Sequence, residues 1–172
     1  MIMPRGQELL QPVNPVFIAA SLVAGLAINL LPLGRVVWMP DALLLLLGFW
    51  VVHQPQRVGM GIAFVLGLCM DVHESALLGQ HALSYAVLVF GAETIRRRLA
   101  WLSVASQALQ MLPLFFAAHG VELLVRMVSG GIFPGLGMLI APLLETVLWP
   151  LASWVLLAPQ RRPPDRDENR PL

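Results

Sequence analysis

Apolar residues run through this chain in long blocks. They do not alternate, and they do not form the one-sided stripe of a soluble helix. The first block runs from Pro15 to about Leu33, and the second from about Val37 to Val52 with five leucines in a row, Leu43 to Leu47. The third starts at Val58 and stays apolar to Met70. The fourth runs from about Ala82 to Ile95, the fifth from about Trp101 to Val128, and the sixth from Ile132 to Leu157. A helix rising 1.5 Å per residue needs roughly 20 residues to cross a hydrocarbon core of about 30 Å. The pattern therefore predicts an all-α membrane protein, a six-helix transmembrane bundle. The third and fourth blocks are the short ones, so five spans is the competing count. Residues 1–158 read as one membrane domain. Residues 159–172, rich in proline and charge, read as a disordered tail.

Composition strengthens the membrane reading. Of 172 residues, 58% are hydrophobic and 12% charged, and mean hydropathy is +0.75. That is more apolar surface than a soluble domain of this length needs. A net charge of +1 offers nothing to a nucleic acid. The start, MIMPRGQELLQPVNP, carries Glu8 and three prolines and lacks the form of a cleavable signal, so the first block reads as a retained span. Cys69 is the single cysteine, in an apolar run, and is expected to behave as a small hydrophobe.

The basic residues, all arginine, orient the bundle. With six spans and the N-terminus inside, Arg5, Arg57, Arg96, Arg97, Arg98, Arg161, Arg162, Arg166 and Arg170 fall on the inner side, and only Arg35 and Arg126 on the outer. This is the bias expected of cytoplasmic loops, and it places both termini in the cytoplasm. Trp38, Trp101, Trp149 and Trp154 stand toward span ends, where interfacial aromatics collect. Pro113, Pro142 and Pro150 lie within apolar spans and are expected to kink them. Ala20-x-x-x-Ala24 and Ser21-x-x-x-Gly25 would allow close helix approach on the first span.

Charges at membrane depth are the candidate chemistry. Asp71 lies fourteen residues beyond Arg57, about 21 Å of helix, toward the outer side. Asp41, Glu74, Glu122, Arg35 and Arg126 fall on that side too. Glu122 and Arg126 are spaced for an i, i+4 pair. An ion-paired outer rim is expected. Asp41, Asp71, Glu74, Gly79, Glu122 and Arg126 are its candidates for bracing the bundle or touching a partner. Ser103, Ser106, Gln107 and Gln110 share one face of the fifth span and should look into the bundle. Glu145, thirteen residues into the sixth block, joins Ser103, Gln107 and Gln110 as a candidate interior polar group. Glu93 is expected to pair with the arginines at 96–98.

The stretch MDVHESALLGQH, Met70 to His81, concentrates residue types found in catalytic and metal sites. The two histidines stand eight apart, where a zinc peptidase helix needs them four apart around a glutamate. No nucleophile-elbow or phosphate-loop pattern occurs. The expectation is no enzyme, no metal and no cofactor, with His73, Glu74 and Gly79 in a short outer connection.

A family resemblance runs through the same region. Pro40-Asp41 opens the second span, and Trp50 to Pro55 form a W-x-x-x-x-P element. The third span ends in Gly67-Leu68-x-x-Asp71, and Leu77 to Leu83 read L-L-G-x-x-A-L. In this order the elements resemble the rod shape-determining protein MreD family. One departure is Ser75, four residues after Asp71, where many members carry glycine. The resemblance implies a non-enzymatic inner-membrane component of the bacterial cell-wall elongation machinery. Its partners would be MreC, the actin-like MreB, and the RodA glycosyltransferase with its penicillin-binding transpeptidase. It also implies a fold similar to the substrate-binding subunits of energy-coupling-factor transporters, and so an alternative function in solute binding.

Overall fold

A computed structural model describes residues 13–31 and 38–160. Among these residues the chain is helical, with six α-helices and no strand. They are α1 (Pro15–Asn29), α2 (Ala42–His53), α3 (Met60–Glu74), α4 (Gln80–Leu99), α5 (Val104–Val128) and α6 (Ile140–Leu157). Short 3-10 turns, Leu136–Leu139 and Ala158–Gln160, flank α6. α5 and the stretch Leu136–Gln160 are long and apolar enough to cross a membrane.

Neighbouring helices pack pairwise. α2 touches α1, α4 and α6; α4 touches α2, α3 and α5; α5 touches α6. The inner ring is thus α2, α4, α5 and α6, with α1 laid against α2 and α3 against α4. α2 is apolar on every side, and a helix of that kind belongs in the interior. Leu43, Leu44, Leu45, Leu47, Phe49, Trp50 and Val51 are all buried. Its twelve residues span only about 18 Å, less than a bilayer core.

Two glycines allow close contacts. A Cβ on Gly67 would meet the Ala82 Cα, and would stand 2.6 Å from the Ala82 N and 2.8 Å from the His81 carbonyl carbon. α3 and α4 therefore touch backbone to backbone. A Cβ on Gly25 would stand 2.5 Å from Leu46 Cδ1 and 3.4 Å from Leu43 Cα. Of the two small-residue pairs on α1, Ser21 and Gly25 face α2, and Ser21 Oγ accepts from Trp50 Nε1 at 2.7 Å. Ala20 and Ala24 are exposed.

Several sequence expectations change here. The sixth helix starts at Ile140, after a 3-10 turn from Leu136, and not at Ile132, because Gly130 (φ 83°), Gly135 (φ 93°) and Pro134 break the helix in an apolar segment. Pro142 then falls in the first turn of α6, where a missing N–H is harmless, and only Pro113 and Pro150 lie inside helices. His73 and Glu74 belong to the last turn of α3, and residues 75–79 make the connection. Trp149 is buried beside Phe49 and Phe115, with ring centroids 6.1 and 6.2 Å away. Trp38, Trp101 and Trp154 are exposed. Cys69 is exposed too. The expected tail lies outside the described residues from position 161 onward. Pro159 and Gln160, assigned to it, fold into the final turn, where Gln160 Nε2 donates to the Leu156 carbonyl at 3.1 Å. Arg5 and Arg35 also lie outside the described residues.

Candidate functional site

Asp41, Asp71, His81, His119, Glu122 and Glu145 converge at one end of the bundle. This is where α1, α3 and α5 finish and α2, α4 and α6 begin. Helix N-termini carry unsatisfied N–H groups and favour carboxylates. The sequence supplies an acid at or near each such junction.

Asp41 is the N-cap of α2. Its Oδ1 accepts from the Leu44 N–H at 2.8 Å and from Asn29 Nδ2 at 2.6 Å. Its Oδ2 accepts from the Tyr85 hydroxyl at 2.6 Å. Asn29, the last residue of α1, in turn accepts from the Ala42 N–H through its Oδ1 at 3.1 Å. The Asp41 backbone N–H donates to Glu145 Oε1 at 3.0 Å. One capping residue thus joins α1, α2, α4 and α6.

Asp71 does the same work for the α3–α4 turn. It is 1% exposed. Its Oδ2 accepts from the Gly79 N–H at 2.7 Å, and its Oδ1 from the His81 N–H at 2.7 Å and His81 Nδ1 at 2.8 Å. Gly79, at φ 103°, supplies the left-handed backbone that starts α4. Ser75 ends α3 at φ 52°, the one non-glycine residue with positive φ among those described. A φ of 52° is one that glycine adopts without the steric cost of a Cβ.

Two histidines join these caps. His119 Nε2 lies 2.8 Å from Glu145 Oε1, and its Nδ1 lies 3.7 Å from Glu122 Oε2. His81 Nε2 lies 3.6 Å from Glu74 Oε2 and 3.7 Å from Glu122 Oε1. Gln80 Nε2 donates to Glu122 Oε1 at 3.5 Å. Both ring nitrogens of each histidine face carboxylate oxygens, an arrangement suited to donors at both positions. The result is a continuous set of contacts through all six helices: Asn29, Asp41, Asp71, Tyr85 and His81, His119 and Glu122, and Glu145. Among the described residues, every ion pair within 4 Å involves a histidine.

The expected rim is therefore a buried hydrogen-bonded plug in part. Asp41, Asp71, Glu74, Gly79 and Glu122 do come together, but Asp71 and much of Asp41 and Glu122 point inward. Arg126 does not join them. It is exposed, and Glu122 turns toward the histidines and Gln80 instead.

Glu145 is the largest correction. It lies one and a half turns into α6 and is 0% exposed, at the Asp41 end of the bundle. It does not share a site with the α5 polar face. His119, its partner, follows Gln107 by twelve residues, about 18 Å of helix. That face does not act as one interior surface either. Ser103 is the exposed N-cap of α5, bonded to Ser106. Gln107 is buried and donates to the Leu99 and Leu102 carbonyls at 3.1 and 3.2 Å, closing the α4–α5 turn. Gln110 is half-buried.

Asn29, Tyr85 and His119 were not legible as site residues. The signal for His119 was present in FFAAHGVELLV, where two polar residues three apart interrupt an apolar run. Along α6, Glu145 Oε2, Trp149 Nε1 and Ser153 Oγ are buried without a hydrogen-bond partner. They follow one another at i, i+4 and i+8, so a line of polar atoms leads from the plug into the core. No group of three or more His, Cys, Asp or Glu has metal-holding geometry among the described residues.

The family model described as rod shape-determining protein MreD covers residues 9–160. No solved structure matches the chain.

Proposed function

Because the chain belongs to the rod shape-determining protein MreD family, we propose that it is a non-enzymatic scaffold of the bacterial cell-wall elongation complex. Membership makes it a membrane protein with a role in rod shape. The finer reading is that it spans the inner membrane six times with both termini cytoplasmic. There it holds MreC, MreB and the RodA–transpeptidase pair so that lateral peptidoglycan is made along the cell body.

The observation that carries the scaffold reading is the plug. Its carboxylates and histidines are engaged with backbone N–H groups and with one another across all six helices. Groups held in this way brace a surface. By the arginine asymmetry this braced end faces outward, which is where wall synthesis takes place. Glu74 and Arg126, exposed at its edge, are the proposed partner contacts. Asp41, Asp71, Gly79, Glu122 and Glu145 are proposed to hold the edge in shape.

Solute binding is less favoured. The polar atoms of Ser103 and Gln107 cap α5 and close the α4–α5 turn, so they do not line a surface for a solute.

Clean deletion in the native host should give round cells, restored to rods by the wild-type chain. Glu74→Ala with Arg126→Ala should insert and keep the helical fold but lose co-purification with the elongation partners. Rod-shaped cells after deletion, with no second copy of the gene, would refute the role in shape. Full partner capture by the double variant would refute the assignment of contacts.

A further inference from the structure

The opposite end of the bundle carries a second, different site. A cleft of about 590 Å³ opens between the α2–α3 turn and the last turns of α4, lined by Pro55, Gln56, Glu93, Thr94, Arg96 and Arg97. Sequence spacing suggested that Glu93 neutralises the arginines. No ion pair forms between them within 4 Å, and Arg57, Arg96, Arg97 and Arg98 make no ion pair among the described residues. Glu93 instead leans toward Gly59 at the α2–α3 turn. Unpaired guanidiniums in a cleft offer forked donors suited to a phosphate.

The α4 face beneath the cleft matches the rest of a phospholipid. Val87, Phe90, Thr94 and Arg97 follow at steps of three, four and three, and all are exposed. The face thus changes along the helix from apolar through hydroxyl to cationic. Phe90 is 63% exposed and Trp101, one turn past Arg97, is 83% exposed. An exposed tryptophan at a helix end is an interfacial anchor. Thr94 Oγ1 donates to the Phe90 carbonyl at 2.8 Å, and its oxygen can still accept. The half-buried Glu93 carboxylate and the Gln56 amide carbonyl add acceptors. An ordinary phosphate site would avoid a carboxylate. A headgroup that also carries hydroxyl donors would use one.

We propose that this cleft is a binding site for an anionic phospholipid with a hydroxylated headgroup, of the phosphatidylglycerol kind. Arg96 and Arg97 take the phosphate, Glu93 and Gln56 take the headgroup hydroxyls, and Val87 and Phe90 receive the acyl chain. A protein's acidic segment would satisfy the arginines, but it would not use the apolar stripe continuous with them.

The test uses the full chain in neutral detergent, with bound lipid counted by native mass spectrometry. The probes are dioleoyl phosphatidylglycerol, dioleoyl phosphatidic acid, dioleoyl phosphatidylcholine and glycerol 3-phosphate. Phosphatidylglycerol should be retained over the other three. Arg96→Gln with Arg97→Gln should weaken its retention roughly thirtyfold, from two charges lost near an anionic headgroup. Arg126→Gln, at the other end, should not. In the wild-type chain, photoactivatable phosphatidylglycerol should label residues 87–97, which needs no variant to fold. Equal retention of phosphatidylcholine, equal binding of glycerol 3-phosphate, or labelling elsewhere overturns the site. Equal retention of phosphatidic acid overturns the headgroup assignment. Unchanged lipid binding by the double variant, with loss of a co-purifying protein, overturns the proposal in favour of a protein surface.

Discussion

Replacing Asp71 with alanine tests the plug at a buried carboxylate that holds three donors. Three donors depend on this one carboxylate: the Gly79 N–H, the His81 N–H and His81 Nδ1. Truncation leaves all three beside an apolar methyl group. A buried donor left unpaired costs about 1–3 kcal/mol in mutational series. Hydrogen bonds inside membrane bundles average nearer 0.6 kcal/mol, because the unfolded reference also finds partners. Three losses at the membrane-bundle scale of about 0.6–1.7 kcal/mol each give about 2–5 kcal/mol. For a chain of this length that is a fall in Tm of roughly 4–20 °C. The assay is thermal unfolding of detergent-purified protein, followed by loss of the monodisperse species. Asp71→Asn separates charge from shape. Its carbonyl oxygen can keep both His81 donors, but its amide then faces the Gly79 N–H donor to donor. It should fall between wild type and Asp71→Ala. A Tm for Asp71→Ala within about 2 °C of wild type, which is less than 1 kcal/mol, would refute the claim that this carboxylate holds the α3–α4 turn.

Ser75→Gly should stabilise, because φ 52° is unfavourable for a residue with a Cβ. Relief of about 1–2 kcal/mol, less the entropy glycine loses on folding, leaves roughly 0.5–1 kcal/mol, and a lower Tm would count against it. Gly67→Val should destabilise by at least about 1–3 kcal/mol, since its side chain meets the backbone of Ala82 rather than a movable side chain. Faster amide exchange over residues 75–85 is the local readout. Tyr85→Phe removes the hydroxyl that donates to Asp41 Oδ2. It should lower Tm by about 2–4 °C, near 1 kcal/mol, and no change would remove Tyr85 from the plug.

The sequence alone determined the class of this protein. Apolar blocks without a soluble face, with arginines gathered mostly in alternate connections, specify a helical membrane bundle, because lipid tolerates neither unpaired backbone nor stray charge. The order Pro40-Asp41, Gly67-x-x-x-Asp71 and Leu78-Gly79 sufficed for the family, since those residues serve local needs: an N-cap, a backbone contact, a helix start. These depend on neighbours a few positions away and can be read in one dimension. What only the tertiary structure decided was which polar groups meet. Hydropathy counts residues 132–139 into the sixth helix, so it put Glu145 thirteen residues from the helix start, where the structure puts it five from the start of α6. Helix start is set by glycine and proline dihedrals that a hydropathy sum does not register. Asp41 and Glu145 stand 104 positions apart and His119 and Glu145 stand 26 apart. No spacing rule links residues on different helices, so their pairing waits on the packing that brings those helices together. The same packing turned Glu122 toward His119 and away from Arg126. A buried acid is stabilised by the partner in its own pocket more than by a solvated one along its own helix face.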